Sequence, residues 1–377
     1  MNKQASKVLL SVAAPTVAVG FALLLSSAVL LLIGESPVAA YGAMFRFAAR
    51  VDSAISIVNR SVPLYLSALA VAFGFKMGLF NIGVEGQYRL AALVAAWVGG
   101  VVTGLPAPLH VALIIFTAMA VGAGWAGIAG TLKVTRGVHE VISTIMLNFI
   151  GTGLGAYLLA AYFREPPAPG DLVIKTPDIP PSGQLPSLNP VLEALGVDVP
   201  GGSDLQSFLI LAVLAGIVFY LLIWRTRFGY DLRVSGVSAT AAAASGVNPK
   251  KMILTTMLLS GATAGLVGMP MLLGFFHRYT IDFPIMLGFT GIAVALLGRN
   301  HPVGIAFAAL LFGFLDRASQ ILDFEAIPKE IVTIVQGIII LSVVVAYEVT
   351  HRIIQKRQAE EVAAELEGAT ETEEVAG

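Results

Sequence analysis

Long apolar runs that do not alternate with polar residues occupy most of the chain, at 8–33, 63–80, 90–102, 109–134, 141–163, 207–224, 252–275, 283–297, 303–322 and 331–347. Runs of this length without a two-residue period predict helices rather than a barrel, because in hydrocarbon each segment has to satisfy its own backbone groups. The pattern predicts an all-α polytopic membrane protein of about ten transmembrane helices. The run 8–33, preceded by Lys3 and Lys7, exceeds the roughly 7–15-residue core of a cleaved signal peptide and reads as a first span with a cytoplasmic N-terminus. Segment 35–60 starts at Pro37 and sets Phe45, Phe47, Val51, Ile55 and Val58 among Arg46, Arg50 and Asp52. It reads as an amphipathic helix on the outer surface.

Polar residues break the pattern most sharply between the second and third runs. Lys76, Asn81, Glu85, Gln87 and Arg89 fall there together with Gly78, Gly83 and Gly86, each glycine disfavouring helix by roughly 1 kcal/mol relative to alanine. Two readings stand. The stretch is a cytoplasmic hairpin, polar because it is wet, or a broken or re-entrant helix in which Asn81, Glu85 and Gln87 face a polar path, as in transporters. In the fifth run Thr144 and Asn148 share a face with Glu140, one turn apart. They either bond neighbouring helices or line the same path.

Charge orients these runs. The loop 225–251 holds Arg225, Arg227, Arg233, Lys250 and Lys251 against one acid, Asp231, so it is cytoplasmic by the positive-inside rule. Within it Ser238 is placed to cap a short helix through 241–244, and Gly246 to end it in a left-handed turn. A short helix on that face is a handle for something outside the membrane to push. The proline-rich loop 164–206, with only Arg164 and Lys175 as basic residues, falls outside; it is either stiff enough to dock a partner or passive surface. Gly261, Gly265 and Gly268 are spaced for close helix packing. Asp316 and Arg317 are adjacent, so they point apart on a helix and each needs a partner elsewhere. His351, Arg352, Lys356 and Arg357 return the chain to the cytoplasm, which puts both termini inside. The arginines of 35–60 alone run against this topology. The tail 351–377 is acidic, with Glu360, Glu361, Glu365, Glu367, Glu371, Glu373 and Glu374, and is expected to be disordered.

Composition narrows the function. Apolar residues make up 56% of the 377 and charged residues 12%, about half the roughly 25% of a soluble domain. The net charge of −1 gives no reason to expect nucleic acid as a partner. There is no cysteine, hence no disulfide, thiolate metal site or cysteine nucleophile. The phosphate-binding pattern GxxxxGK[ST] is absent, and no carboxylate pair or metal-ligand spacing occurs, so this chain is not expected to be an enzyme or to bind a cofactor or metal. Moving a solute remains, as an ion-coupled secondary carrier or as the membrane half of an ATP-driven transporter. Only the second has a use for a capped helix outside the membrane.

Three segments carry a resemblance to a known family. Phe80-Asn-Ile-Gly-Val-Glu-Gly-Gln87, preceded by Phe73-Gly-Phe-Lys-Met-Gly-Leu79, is one; Gly137-Val-His-Glu-Val-Ile-Ser-Thr-Ile-Met-Leu-Asn148 is the second. The third is Gly288-Phe-Thr-Gly-Ile-Ala-Val-Ala-Leu-Leu-Gly298 with Arg-Asn-His-Pro-Val-Gly304 after it. In this order they resemble bacterial ABC-transporter permeases for nucleosides and simple sugars, within the branched-chain amino-acid permease superfamily, and the likeness runs from Pro63 to Tyr347. The resemblance implies an importer in the bacterial inner membrane, with ATP and magnesium bound on a separate cytoplasmic ATPase. It also implies an extracellular or periplasmic binding protein and a second, shorter permease, this chain being the longer partner. A first span ahead of an amphipathic segment and a long external loop fit that longer partner. On this resemblance 1–350 is the permease domain and 225–251 the coupling loop, with Arg233, Gly236, Ser238, Ala241, Ala242, Gly246, Val247 and Asn248 meeting the ATPase. In an alternating-access transporter Asn81, Glu85, Gln87, Thr144 and Asn148 are expected to line the substrate path. In that loop the family usually reads Gly, then Glu-Asn-Pro, then Ala-Ala; here Val237-Ser-Ala-Thr240 follows Gly236.

Overall fold

In the computed structural model, residues 19–166, 173–324 and 331–342 are described, together with 345 and 352. The first half of the run 8–33 and, apart from Arg352, the acidic tail 351–377 lie outside the described residues. Two compact units divide the chain, one of 1–43 with 322–377 and one of 44–321.

Among the described residues every regular element is helical, and only two isolated bridges, 175 with 280 and 187 with 206, pair extended backbone. Six helices are long and apolar enough to cross a membrane. They are α3 (Val51–Lys76), α5 (Ala107–Arg136), α6 (Glu140–Leu158, carried on by a π turn to Phe163), α8 (Phe208–Arg225), α11 (Pro249–Gly265, continued by the short α12, Met269–Met271, to Phe276) and α14 (Pro302–Phe324). A seventh is reached if α1 (Val19–Leu32) and α2 (Pro37–Ala48) form one broken span. In the first unit the Ser26 hydroxyl lies 2.7 Å from that of Tyr41.

The apolar runs at 90–102 and 283–297 take other forms. The first is the later part of α4 (Val84–Val101), whose opening turns hold Glu85, Gln87 and Arg89. The second is α13 (Leu287–Leu297), eleven residues long; at about 1.5 Å per residue it spans roughly half a hydrocarbon core. Segment 35–60 is divided too. Residues 37–48 form α2, whereas 51–60 open α3, which runs on through Pro63 without stopping.

The reason lies in ion pairs that join distant parts of the chain. Arg60 pairs with Asp316, and Asp52 accepts from Arg50 at 3.0 Å and from Arg317 at 3.1 Å. Arg317 also lies over the Phe47 ring, 4.7 Å from its centroid. Asp316 and Arg317 thus find their partners on α3. Two of the arginines that run against the charge rule, Arg50 and Arg60, are neutralised locally.

The buried centre is made by α3, α4, α5, α11 and α13. Along α5 and α11 backbone meets backbone: a Cβ on Gly261 would fall 2.3 Å from the Gly122 carbonyl oxygen, and one on Gly265 2.1 Å from that of Ala118. Only glycine allows that approach. Loop 164–206, described at 164–166 and from 173 and holding the short α7 (Asn189–Ala194), is pinned to the segment after α11. Thr176 N donates to Tyr279 O at 3.0 Å, Ile179 N to His277 O at 2.8 Å and Leu185 N to Leu273 O at 3.0 Å. Buried His110 on α5 reaches the Ser182 hydroxyl at 2.9 Å and the Gly99 carbonyl at 2.9 Å.

Candidate functional site

The break between α3 and α4, residues 77–83, turns inward. Asn81 is 0% exposed, Gln87 1% and Glu85 7%, so these side chains are not a wet hairpin. Their hydrogen bonds explain how polar groups persist there, since a buried polar atom without a partner costs about 1–3 kcal/mol. Asn81 and Gln87 exchange amide bonds, Asn81 Nδ2 to Gln87 Oε1 at 3.1 Å and Gln87 Nε2 to Asn81 Oδ1 at 3.0 Å. Asn81 Nδ2 also donates to Ser260 Oγ at 2.8 Å, and that hydroxyl donates to the Ala70 carbonyl at 2.6 Å. One amide thereby ties the break to both α11 and α3.

Asn148 on α6 closes the other side. Its Nδ2 donates to Ile82 O at 3.0 Å and its Oδ1 accepts from Gly86 N at 2.8 Å. Thr144, one turn earlier and 0% exposed, donates to the Glu140 carbonyl of its own helix at 2.7 Å. Glu140, 4% exposed, pairs with Lys133 and lies 3.4 Å from the Phe80 amide, which points at it.

Glu85 makes the longest-range connection. It accepts from Met286 N at 2.9 Å through Oε1 and from Gly288 N at 2.9 Å through Oε2, while the Tyr88 hydroxyl donates to Oε1 at 3.1 Å. The carboxylate of one interrupted helix therefore caps the N-terminus of another, where unpaired backbone N–H groups and the helix dipole favour negative charge. All five residues read as path-lining are brought to this one knot; Asn81, Glu85, Gln87 and Asn148 commit their polar groups across it, and Thr144 bonds back to its own helix.

On the far side of the break stands the basic loop. It folds as α9 (Arg227–Val237), α10 (Ala239–Ala244) and the start of α11. Thr226 caps α9 by accepting from Gly229 N at 3.1 Å, and Ser238 caps α10 by accepting from Ala241 N at 3.2 Å. Gly246 takes φ +81° after α10, Val247 N returns to Ala242 O at 3.0 Å, and Asn248 caps α11 through Lys251 N at 3.1 Å. Sequence reasoning missed α9, whose signal was Thr226 three residues before Gly229. Of the residues assigned to the loop's outer contact, Ala242 is 0% exposed and Arg233 turns back to the Ile223 carbonyl. Val237, 89% exposed, and Tyr230, 60%, present the apolar surface instead, beside a cavity of about 270 Å³ that Arg233, Ser238 and Ala241 also line.

Gly236 joins loop and break. A Cβ there would lie 2.7 Å from the Met77 carbonyl carbon and 3.0 Å from Lys76 O, and Gly78, at φ +71°, faces the Gly236 carbonyl in return. Lys76 Nζ sits 5.0 Å from the Trp224 ring centroid, with the His301 ring tilted against the same indole at 57°, centroids 5.3 Å apart. Burial, and then the Lys76 charge, hold His301 below the ordinary histidine range.

Apolar helices of membrane-crossing length around an interrupted, hydrogen-bonded polar centre define a multi-pass membrane protein of the transport type. Among the described residues no group of His, Asp and Glu could hold a metal ion. The chain belongs to the family of branched-chain amino acid transport system permease components, whose profile matches residues 53–344. It is 37% identical over 338 residues to the guanosine ABC transporter permease protein NupP of Bacillus subtilis, covering 89% of this chain and 93% of that one. It is 34% identical over 335 residues to the glucose ABC transporter permease protein TsgB13 of Haloferax volcanii, covering 87% and 85%. A second Bacillus subtilis guanosine permease protein, NupQ, is 28% identical over 282 residues, 72% of this chain and 82% of its own.

Proposed function

We propose that this chain is a membrane-spanning permease subunit of an ATP-driven importer for nucleosides, working by alternating access. The observation that carries the coupling is the backbone contact of Gly236 with Met77 and Gly78, because it links a cytoplasmic loop to the interrupted centre without a flexible side chain between them. Likeness to NupP over nearly the whole of both chains supports nucleosides as the cargo. The match to NupQ supports a second permease as partner, with this chain as the longer of a heterodimer. A cytoplasmic ATPase carrying ATP and magnesium, and a binding protein on the outer face, complete the importer. Ten crossings of the inner membrane, with both termini cytoplasmic, fit the charged loops.

The mechanism follows from the geometry. The ATPase engages the exposed Val237 and Tyr230 side of α9 and α10, and its two states contact these helices differently. That difference in contact is what shifts the permease between conformations. Displacement of Gly236 presses on the 76–78 turn and reaches Asn81, Glu85 and Gln87. Because Glu85 caps α13 and Asn148 holds Ile82, movement there re-aims α4, α6 and α13 together and opens the path beside them. Polar but mostly uncharged groups along such a path suit a hydroxyl-rich neutral solute that sheds water as it passes.

A sugar importer is the second reading, favoured by the likeness to TsgB13. Uptake of labelled guanosine and labelled ribose decides between them, in cells holding the complete transporter and with unlabelled adenosine, uridine and galactose as competitors. Guanosine uptake reduced at least tenfold by the other nucleosides but not by galactose is expected. Ribose uptake alone would move the protein to the sugar branch.

A further inference from the structure

One turn beyond the knot, Arg89 faces a cavity of about 200 Å³ lined also by Thr152 and Gly155 of α6, by Leu159, and by Tyr279 and Ile281 of the segment before α13. The Arg89 Nε is buried and has no hydrogen-bond partner, while its Nη1 reaches Thr152 Oγ1 at 3.4 Å and the guanidinium also hydrogen-bonds the Tyr279 side chain. Among the described residues Arg89 forms no ion pair. Glu85, one turn back on the same helix, gives its oxygens to the Met286 and Gly288 amides and the Tyr88 hydroxyl. A guanidinium whose Nε is dehydrated and unanswered is costly unless something completes it.

The surroundings define what could. Tyr279 is 5% exposed, and both its backbone groups are bonded to Thr176, through Thr176 N to Tyr279 O at 3.0 Å and Tyr279 N to Thr176 Oγ1 at 3.0 Å. Its ring stacks on Phe283 with centroids 4.8 Å apart. A fixed aromatic ring beside a guanidinium, with small Gly155 across the cavity, forms a slot for a flat group. The volume is below the roughly 300–1,000 Å³ of pockets that enclose whole drug-sized ligands, so it takes part of a solute. The Nε–Nη edge of arginine carries two parallel N–H donors, and its closest match on a nucleobase is the pair of adjacent acceptors N7 and O6 of a 6-oxopurine.

We propose that Arg89, with Tyr279 and Thr152, forms a base-recognition site that holds the N7/O6 edge of 6-oxopurine nucleosides during passage. This rests on the nucleoside reading above and goes further, since it puts purine selectivity in the permease itself.

The test is uptake of guanosine and of 7-deazaguanosine, which lacks the N7 acceptor, by the complete transporter carrying wild-type, Arg89→Gln or Arg89→Lys permease. Preference of the external binding protein is common to all three and cancels when guanosine-to-deazaguanosine ratios are compared. The expected result is a ratio about tenfold lower in both variants than in wild type, the loss of one bidentate base contact. Arg89→Lys keeps the positive charge and serves if Arg89→Gln does not assemble. An unchanged ratio in an assembled variant overturns the site and leaves nucleoside transport standing. No guanosine uptake by wild type overturns the transport reading itself.

Discussion

Glu85→Ala is expected to abolish uptake and to destabilise the permease by about 2–6 kcal/mol, since the Met286 and Gly288 amides lose their acceptor and each unsatisfied buried group costs about 1–3 kcal/mol. Glu85→Gln is the more informative change. It keeps shape and one carbonyl acceptor, but sets an amide N–H against a backbone N–H and removes the negative charge at the N-terminus of α13. Assembly survives, and uptake falls about tenfold or more. Uptake per inserted permease and thermal unfolding of the purified complex separate these effects. Wild-type uptake by Glu85→Ala would mean that the join between α4 and α13 has no part in transport.

Gly236→Leu is expected to uncouple rather than unfold. Its Cβ would enter within 2.7 Å of the Met77 carbonyl carbon, and both sides of that contact are backbone that cannot rotate aside. Overpacking of this kind costs about 1–3 kcal/mol, here imposed on the surface through which α9 reaches the 76–78 turn. The complex retains ATP hydrolysis while uptake per ATP drops about tenfold. Parallel loss of hydrolysis and uptake would place Gly236 in ATPase docking instead.

Local chemistry was legible in the sequence, and pairings across the chain were not. Ser238 and Gly246 announced α10 because caps act within a few residues, and Gly261 and Gly265 announced a close helix approach because their spacing repeats on one face. Thr226 was as clear a cap, but the arginines around it read as charge and hid α9. The need of Asp316 and Arg317 for partners could be deduced from hydrocarbon alone. That Arg60 and Asp52 supply them could not, because nothing local links positions some 260 residues apart. For the same reason 51–60 read as a surface segment, when its charges are what anchor it as the beginning of α3.

The knot divides along the same line. Asn81, Glu85, Gln87, Thr144 and Asn148 were identifiable as polar groups out of place in apolar runs. Their bonds to Ser260, Ile82, Gly86, Met286 and Gly288 come from the packing of α4, α6, α11 and α13, which periodicity does not encode. Arg89 stood in the same polar stretch, and only the missing partner of its Nε distinguishes it from an ordinary end-of-loop cation.

The most direct measurement is guanosine accumulation in proteoliposomes that hold both permeases and the ATPase, supplied with ATP on the cytoplasmic face and with the binding protein on the other. Accumulation above the external concentration is expected with ATP, and none with a non-hydrolysable analogue or with an imposed proton or sodium gradient alone. Concentrative uptake driven by such a gradient without ATP would contradict an ATP-driven permease and make the chain an ion-coupled carrier.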